Sequence, residues 1–201
     1  MVNTNTILLA SSSITRQRIL SEAGIKFQII HPNVDETEIK SALIQEKFNS
    51  GSIAEVLAEN KARQISLKNP RAYVISSDQV LDLGGKIISK PPDIHAARDQ
   101  LLDLRGKKHR LFSFVCVFVD GIRLWHVLDT ASMWMRDFSE EFLKRYLEAL
   151  GDTALNFPGA YCIENRGIQL FSKISGNYFT ILGLPLLPLL KCLREQGVIK
   201  L

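Results

Sequence analysis

Three kinds of residue in this 201-residue chain have types and neighbours suited to chemistry: paired acids, misplaced lysines and a run of hydroxyls. Ser11, Ser12 and Ser13 stand between a short apolar run and a helical stretch. Hydroxyls and free backbone N–H groups at a helix start either cradle phosphate or simply cap the helix. Asp35-Glu36 is an acidic pair on a loop, suited to Mg²⁺ bridging phosphates or to plain solvation. Ser76-Ser77-Asp78 closes an apolar strand, and ligands of open α/β sheets gather at the carboxyl ends of strands. Asp78 is therefore a candidate metal ligand or general base, with a turn-opening aspartate as the plainer alternative.

The lysines are odd in a different way. On a wheel of about 100° per residue, Ile53, Ala54, Val56, Leu57 and Ile65 share one face of a helix. Glu55, Glu59, Arg63 and Ser66 share the opposite face. Lys61 falls on the apolar side, where it must snorkel or meet an anion. Lys90 precedes Pro91-Pro92, which hold its backbone extended, either to face a phosphate or as a rigid exposed turn. Together these groups form the kit of phosphoryl chemistry: a site for a metal, cations for oxygens and a base to orient water.

Other chemistries lack their residues. His31, His95, His109 and His126 show no i, i+4 ligand pairing, and there is no Walker, G-x-S-x-G or Rossmann glycine motif. Cys116, Cys162 and Cys192 lack metal-ligand spacing and read as free, buried thiols in a reducing cytosol.

The elements that must hold these groups read as alternating strands and helices, an α/β protein. Strands are expected at 6–10 and 27–30, then from Tyr73 onward, with helices ending at Gly24 and starting at the Ser52–Glu55 capping-box spacing. Leu83-Gly84-Gly85-Lys86 reads as a hairpin turn, and 93–104 as a helix stopped by Gly106. The runs 111–119 and 122–135 are β-rich and are joined by Asp120-Gly121, a dipeptide suited to a two-residue hairpin loop. An amphipathic helix over 142–150, strands around Tyr161 and Phe171, and a helix over 185–196 complete the chain.

With 46% hydrophobic and 23% charged residues, the composition is that of a globular core rather than a disordered chain. The N-terminus lacks a basic n-region and a cleavage site, and the stretch 181–193 is too short and too Pro-broken to span a membrane. A cytoplasmic protein is expected, with no membrane partner. The net charge of +4 tolerates an anionic ligand, but no basic run or basic-aromatic stripe points to nucleic acid.

The order of these residues resembles the Maf family of nucleotide pyrophosphatases. The resemblance is carried by Leu8-Leu9-Ala10-Ser11-Ser12-Ser13 with Arg16, Gly24 and Phe27; by Val34-Asp35-Glu36; and by Leu57-Ala58-Glu59-Asn60-Lys61-Ala62. It continues through Ser77-Asp78-Gln79-Val80, Lys90-Pro91 with Ala97 and Leu101, Gly159-Ala160-Tyr161 and Gly183-Leu184-Pro185. It implies one Maf-like domain over 1–201 with an inosine triphosphatase-like fold, a mixed elongated sheet with flanking helices and two lobes around a cleft. It also implies an enzyme, commonly dimeric, that hydrolyses a nucleoside triphosphate to the monophosphate and pyrophosphate with Mg²⁺ or Mn²⁺.

By position, the resemblance makes Asp78 the proton acceptor, and Glu36 with Asp78 the metal site. Arg16, Lys61 and Lys90 bind the triphosphate, while Ser11 and Ser13 line its pocket. Thr15, Gln79 and Glu164 stand where family members differ by base, and Gln79 with Glu164 looks like the 7-methyl-GTP type. A carboxylate there suits the N–H donors of guanine. Ile14 and Thr15 stand where Pro and Arg are usual, Phe114 where Gly is usual, Ser113 for Thr and Pro158 for Ala. The alternatives are a dTTP/UTP or other nucleotide pyrophosphatase, or a non-enzymatic regulator of septum formation.

Overall fold

The computed structural model describes residues 6–200. Among these residues, seven strands form one mixed sheet: β1 (Ile7–Ala10), β2 (Gln28–Ile30), β3 (Tyr73–Leu83), β4 (Lys86–Ile88), β5 (Lys108–Val119), β6 (Ile122–Met135) and β7 (Phe171–Ser175). The hydrogen-bonded order is β2-β1-β3-β5-β6-β7, with β4 on β3. The helices are α1 (Ile14–Glu22), α2 (Glu36–Gln45), α3 (Ser50–Ser66), α4 (Ile94–Leu104), α5 (Glu140–Leu150), α6 (Tyr178–Ile181) and α7 (Leu186–Glu195). The α/β class expected from the sequence is the one observed. Among the described residues, no helix is long and apolar enough to cross a membrane.

The chain falls into two compact units. The first holds the chain through Gln79, then Ser113–Asp129, then everything from Asn177. Its core joins Ile7 and Leu9 of β1, Ile75 of β3 and Val115 and Val117 of β5 to Ile19 and Leu20 of α1 and Leu186, Leu189 and Leu193 of α7. These odd-numbered strand positions point to one face, as the two-residue period requires. The even-numbered positions face α3: the Arg63 guanidinium lies 5.6 Å from the Phe118 ring centre, and the Ser66 hydroxyl accepts from Gly121 N. Ser66 is fully buried, although the helical wheel places it on the polar face. Glu55 and Glu59 do lie outward and hold Arg123.

β1 sits between β2 and β3 and runs parallel to both. The chain leaves β1 through α1 on one face and enters β3 from α3 on the other. The carboxyl end of β1 is thus a topological switch point, where open α/β sheets bind ligands. Asp120 (φ 51°) and Gly121 (φ 77°) make the expected two-residue turn between β5 and β6.

Two helix starts differ from expectation. Asn49, not Ser52, caps α3, with its side chain accepting from Ser52 N. The acidic pair is not in a loop: Asp35 caps α2, accepting from the amides of Thr37 and Glu38, and Glu36 is the first residue of that helix. The weak apolar periodicity of α2, which buries none of its residues, concealed it.

The second unit holds Val80–Phe112 and Thr130–Gly176. β3 and β4 pair antiparallel with Leu81 opposite Ile88, and β6 pairs antiparallel with β7. α4 buries Ala97, Leu101 and Leu104, and α5 buries Leu143, Tyr146 and Leu147. The strand expected around Tyr161 does not form. Gly159 and Ala160 both take positive φ and turn the chain just before it, so the Tyr161 ring instead packs edge-on to Phe171 at 5.0 Å. The strand at Phe171 is present as β7.

His109 is buried against this ring pair, with Nε2 2.9 Å from the Tyr161 hydroxyl and no partner for Nδ1 among the described residues. Burial pushes its pKa down from 6.5 to about 4. Between those values the unfolded chain holds a proton that the folded chain rejects, so stability rises with pH. The contribution of neutral His109 is complete above pH 6.5 and is lost as the pH falls toward 4, a total of about 3 kcal/mol. Melting curves from pH 7.5 to pH 4.5 are expected to show this decline, and His109→Gln is expected to flatten it.

Candidate active site

The site forms where β1 stops. Leu9 pairs with Ile75, and β1 ends at Ala10 while β3 runs on to Leu83. Asp78 therefore lies in the middle of a long strand, not at the strand end that the sequence led us to expect. It lies just beyond the carboxyl end of its parallel neighbour, where the shorter strand no longer flanks it. Alternation puts Ser76 and Asp78 on the α3 side of β3, and Ser77 and Gln79 on the α1 side.

Lys61 of α3 is 3% exposed, and Asp78 is 8% exposed. The Lys61 ammonium donates to Asp78 Oδ1 at 2.6 Å and to the Ser77 carbonyl at 3.3 Å. Glu36 Oε1 lies 3.6 Å from the same nitrogen. Of the two readings of Lys61, the snorkelling one is excluded and the anion-meeting one is observed: two carboxylates converge on a buried cation. Ser76 Oγ, on the same face, is buried with no hydrogen-bond partner among the described residues.

The serine turn closes the other side. Ser13 caps α1 by accepting from Arg16 N, and Ser11 Oγ accepts from Ser13 N at 3.1 Å. Arg16 projects from the first turn of α1. Its Nε donates to the Gly183 carbonyl at 2.8 Å and its Nη1 reaches Ser11 Oγ at 3.5 Å. Burial pulls the Arg16 pKa down, while Asp78 and Glu36 push it back up. A guanidinium remains charged under that balance. Thr15 lies half-buried in the same turn.

Gly183 ties the parts together. Its carbonyl accepts from Arg16 and also lies 2.8 Å from the Ser77 hydroxyl, which reaches the Phe114 carbonyl at 2.7 Å as well. Its φ of +87° favours glycine, and a Cβ there would sit 3.2 Å from Arg16 Nη2. Gln79 Nε2 lies within 3.1 Å of the carbonyls of Thr180 and Ile181 and 2.9 Å from Ser113 Oγ. Carbonyls only accept, so the orientation of this amide is fixed and Oε1 is the atom left to receive a donor. Phe114, where the resemblance has glycine, is buried and stacks on His126.

The first unit thus brings Ser11, Ser13, Thr15, Arg16, Glu36, Lys61, Asp78 and Gln79 to one end of β1 and β3. Lys90, exposed after β4, and Glu164, half-buried in a turn, belong to the second unit. Ser77 was named only within its motif, because a serine inside a strand carries no outward sign of which carbonyls it will meet. Gly183 was visible only as part of a motif.

A family model described as Maf-like protein matches residues 6–196. The chain belongs to the Maf family. Among the relatives of this Maf chain is the nucleoside triphosphate pyrophosphatase of Caulobacter vibrioides, 45% identical over 193 residues, or 96% of each chain. The 7-methyl-GTP pyrophosphatase of Brucella suis biovar 1 is 47% identical over 193 residues, covering 96% of this chain and 97% of the relative. The nucleoside triphosphate pyrophosphatase of Rhodospirillum rubrum is likewise 47% identical, over 96% of both.

Proposed function

We propose that this Maf-family chain hydrolyses a nucleoside triphosphate to the monophosphate and pyrophosphate. The observation that carries the reading is the Lys61 ammonium, 2.6 Å from Asp78 and 3.6 Å from Glu36, beside the serine turn and Arg16. Full-length relatives named as pyrophosphatases support it.

A divalent metal fits the donor set. Asp78 and Glu36 offer hard carboxylate oxygens close enough to share one cationic centre. Among the described residues, no group of three or more His, Cys, Asp or Glu is placed to hold a metal ion by itself. Mg²⁺ is usually held this way, by one or two carboxylates with substrate phosphates and water completing the shell. When bound, Mg²⁺ or Mn²⁺ neutralises the charge that develops on the phosphates.

The chain's own residues do the rest. Asp78 takes the proton of a water whose oxygen bonds to the α-phosphorus as the bond to the bridging oxygen breaks and pyrophosphate leaves. Lys61 donates to Asp78 Oδ1 and holds that carboxylate in place. Arg16, held at Nε by Gly183, turns its remaining N–H groups to phosphate oxygens, with Lys61 and Lys90 as the other cations. Ser11, Ser13, Thr15 and the first amides of α1 line the phosphate pocket.

7-Methyl-GTP is the preferred nucleotide on this reading. Gln79 presents Oε1, an acceptor, and Glu164 is a second acceptor in the sequence; guanine offers N–H donors to both. A cytoplasmic homodimer without nucleic-acid or membrane partners completes the reading. The test is pyrophosphate release from 7-methyl-GTP, GTP, dTTP, UTP, CTP and ITP with Mg²⁺ or Mn²⁺, wild type against Asp78→Ala. Asp78-dependent release led by 7-methyl-GTP is expected. A lead by dTTP or UTP keeps the chemistry and overturns the base preference. No release by the folded protein overturns the enzyme and favours a septum regulator.

A further inference from the structure

Glu36 stands at the first residue of α2 with its side chain half exposed, after the irregular stretch 31–35. A carboxylate that must share a cation with Asp78 needs firmer support than an exposed stretch supplies, because binding groups lose function when their supports are loose. Two contacts outside the stretch provide that support. Ser12 Oγ lies 3.1 Å from His31 Nδ1, joining the stretch to the serine turn. Gln64 of α3 makes the other contact, and it is double: Oε1 accepts from Asn33 N at 2.9 Å, and Nε2 donates to Asn33 O at 2.8 Å.

One side-chain amide thus satisfies both backbone groups of one residue, as a neighbouring strand would. The pairing also fixes which way the amide points, since Asn33 N only donates and its carbonyl only accepts. The spacing is specific. Gln64 is three residues beyond Lys61, so the two are neighbours on the surface of α3. Asn33 is three residues before Glu36. The helix that carries the ammonium meeting Glu36 also carries the amide that anchors the approach to Glu36.

We propose that Gln64 is a positioning residue that keeps Glu36 beside Lys61 and Asp78. The inference rests on the reading of Glu36 as a metal-holding carboxylate. Both polar atoms of Gln64 are spent on Asn33, so it acts through the stretch and not on a ligand. Outer residues that orient a metal-binding group typically change metal affinity or activity by about 10- to 100-fold.

The test compares Gln64→Ala and Gln64→Glu with wild type, each also in a Glu36→Gln background. Alanine is the best helix former, so the variant keeps α3 intact. Mn²⁺ binding without nucleotide is read by electron paramagnetic resonance of the free ion, and Mn²⁺ half-saturation is read from pyrophosphate release. Gln64→Ala is expected to weaken Mn²⁺ binding about tenfold and to raise the half-saturation in step. Gln64→Glu keeps the acceptor for Asn33 N and loses the donor, so it is expected to fall between. In the Glu36→Gln background, neither Gln64 change should weaken binding further.

Wild-type Mn²⁺ affinity in Gln64→Ala would overturn the inference. So would an equal loss with Glu36 already replaced, or a wild-type protein that binds no Mn²⁺. Asp78-dependent hydrolysis with unaltered Gln64 variants would sink this inference and keep the reaction. If no nucleotide is hydrolysed, the reaction reading fails and the Mn²⁺ titration still decides the role of Gln64.

Discussion

Asp78→Asn is expected to slow pyrophosphate release by about 10²- to 10⁴-fold, the usual contribution of a positioned base. Asparagine keeps the shape of the side chain and an oxygen that can accept from the Lys61 ammonium, 2.6 Å from Oδ1 in the wild type. It cannot take a proton from water. It also removes one of the two anions at the proposed metal site, so the metal half-saturation should rise together with the fall in kcat. The fold survives because Glu36 still lies 3.6 Å from the ammonium and the Ser77 carbonyl still accepts from it. The stability loss should be about 1.5–3 kcal/mol, that of a hydrogen bond to a charged group. Steady-state kinetics at saturating Mg²⁺, set beside a urea melt, separates the two effects. A rate within tenfold of wild type would remove Asp78 from the chemistry.

Much of this arrangement was legible in the sequence, for physical reasons that differ by residue. Lys61 stood out because a cation on the apolar face of a helix violates a periodicity that the rest of that helix obeys. The Asp120-Gly121 turn was legible because two consecutive positive φ values strongly restrict residue choice. Asp78 was legible by its residue type but not by its place: the strand it sits in extends to Leu83, and it is the early end of β1 that leaves it without a neighbouring strand on that side. No local signal in β3 could report where a strand distant in sequence would stop.

The parts that stayed hidden depend on partners far along the chain. The Gly183 carbonyl meets Arg16 across 167 positions of sequence and Ser77 across 106. Gln64 meets Asn33 across 31. A glutamine on a half-exposed helix face reads as ordinary surface until the fold lays an irregular stretch against it. α2 was hidden for the opposite reason: capped by Asp35 but burying nothing, it lacks the apolar stripe by which helices are read.

Lys61→Met carries the largest expected effect on stability, and it separates what the buried pair does for the fold from what it does for the reaction. Methionine matches the unbranched stem of lysine and fills the same slot between α3 and β3 without the charge. It leaves the Asp78 carboxylate, whose side chain is 11% exposed, without its cation. Removing one partner of a buried ion pair costs about 3–5 kcal/mol, because the other charge stays desolvated and uncompensated. For a chain of this size, each kcal/mol moves the melting temperature by about 2–4 °C, so a fall of roughly 10 °C is expected. Activity should disappear as well, since the freed carboxylate loses the ammonium that holds it in place and the phosphates lose one of their cations. Lysine to arginine should not rescue either property, because a planar guanidinium does not fit a slot that leaves the native side chain 3% exposed. The decisive comparison is the double variant Lys61→Met, Asp78→Leu. Replacing both members of a buried pair by apolar groups is often neutral or stabilising, so the double variant should melt well above the single one while remaining inactive. That recovery would mean that the pair is kept at a cost to stability and for the sake of the reaction. A single variant that melts with wild type would mean that Asp78 draws its compensation from elsewhere, and the electrostatic account of the site would have to be rebuilt around Arg16.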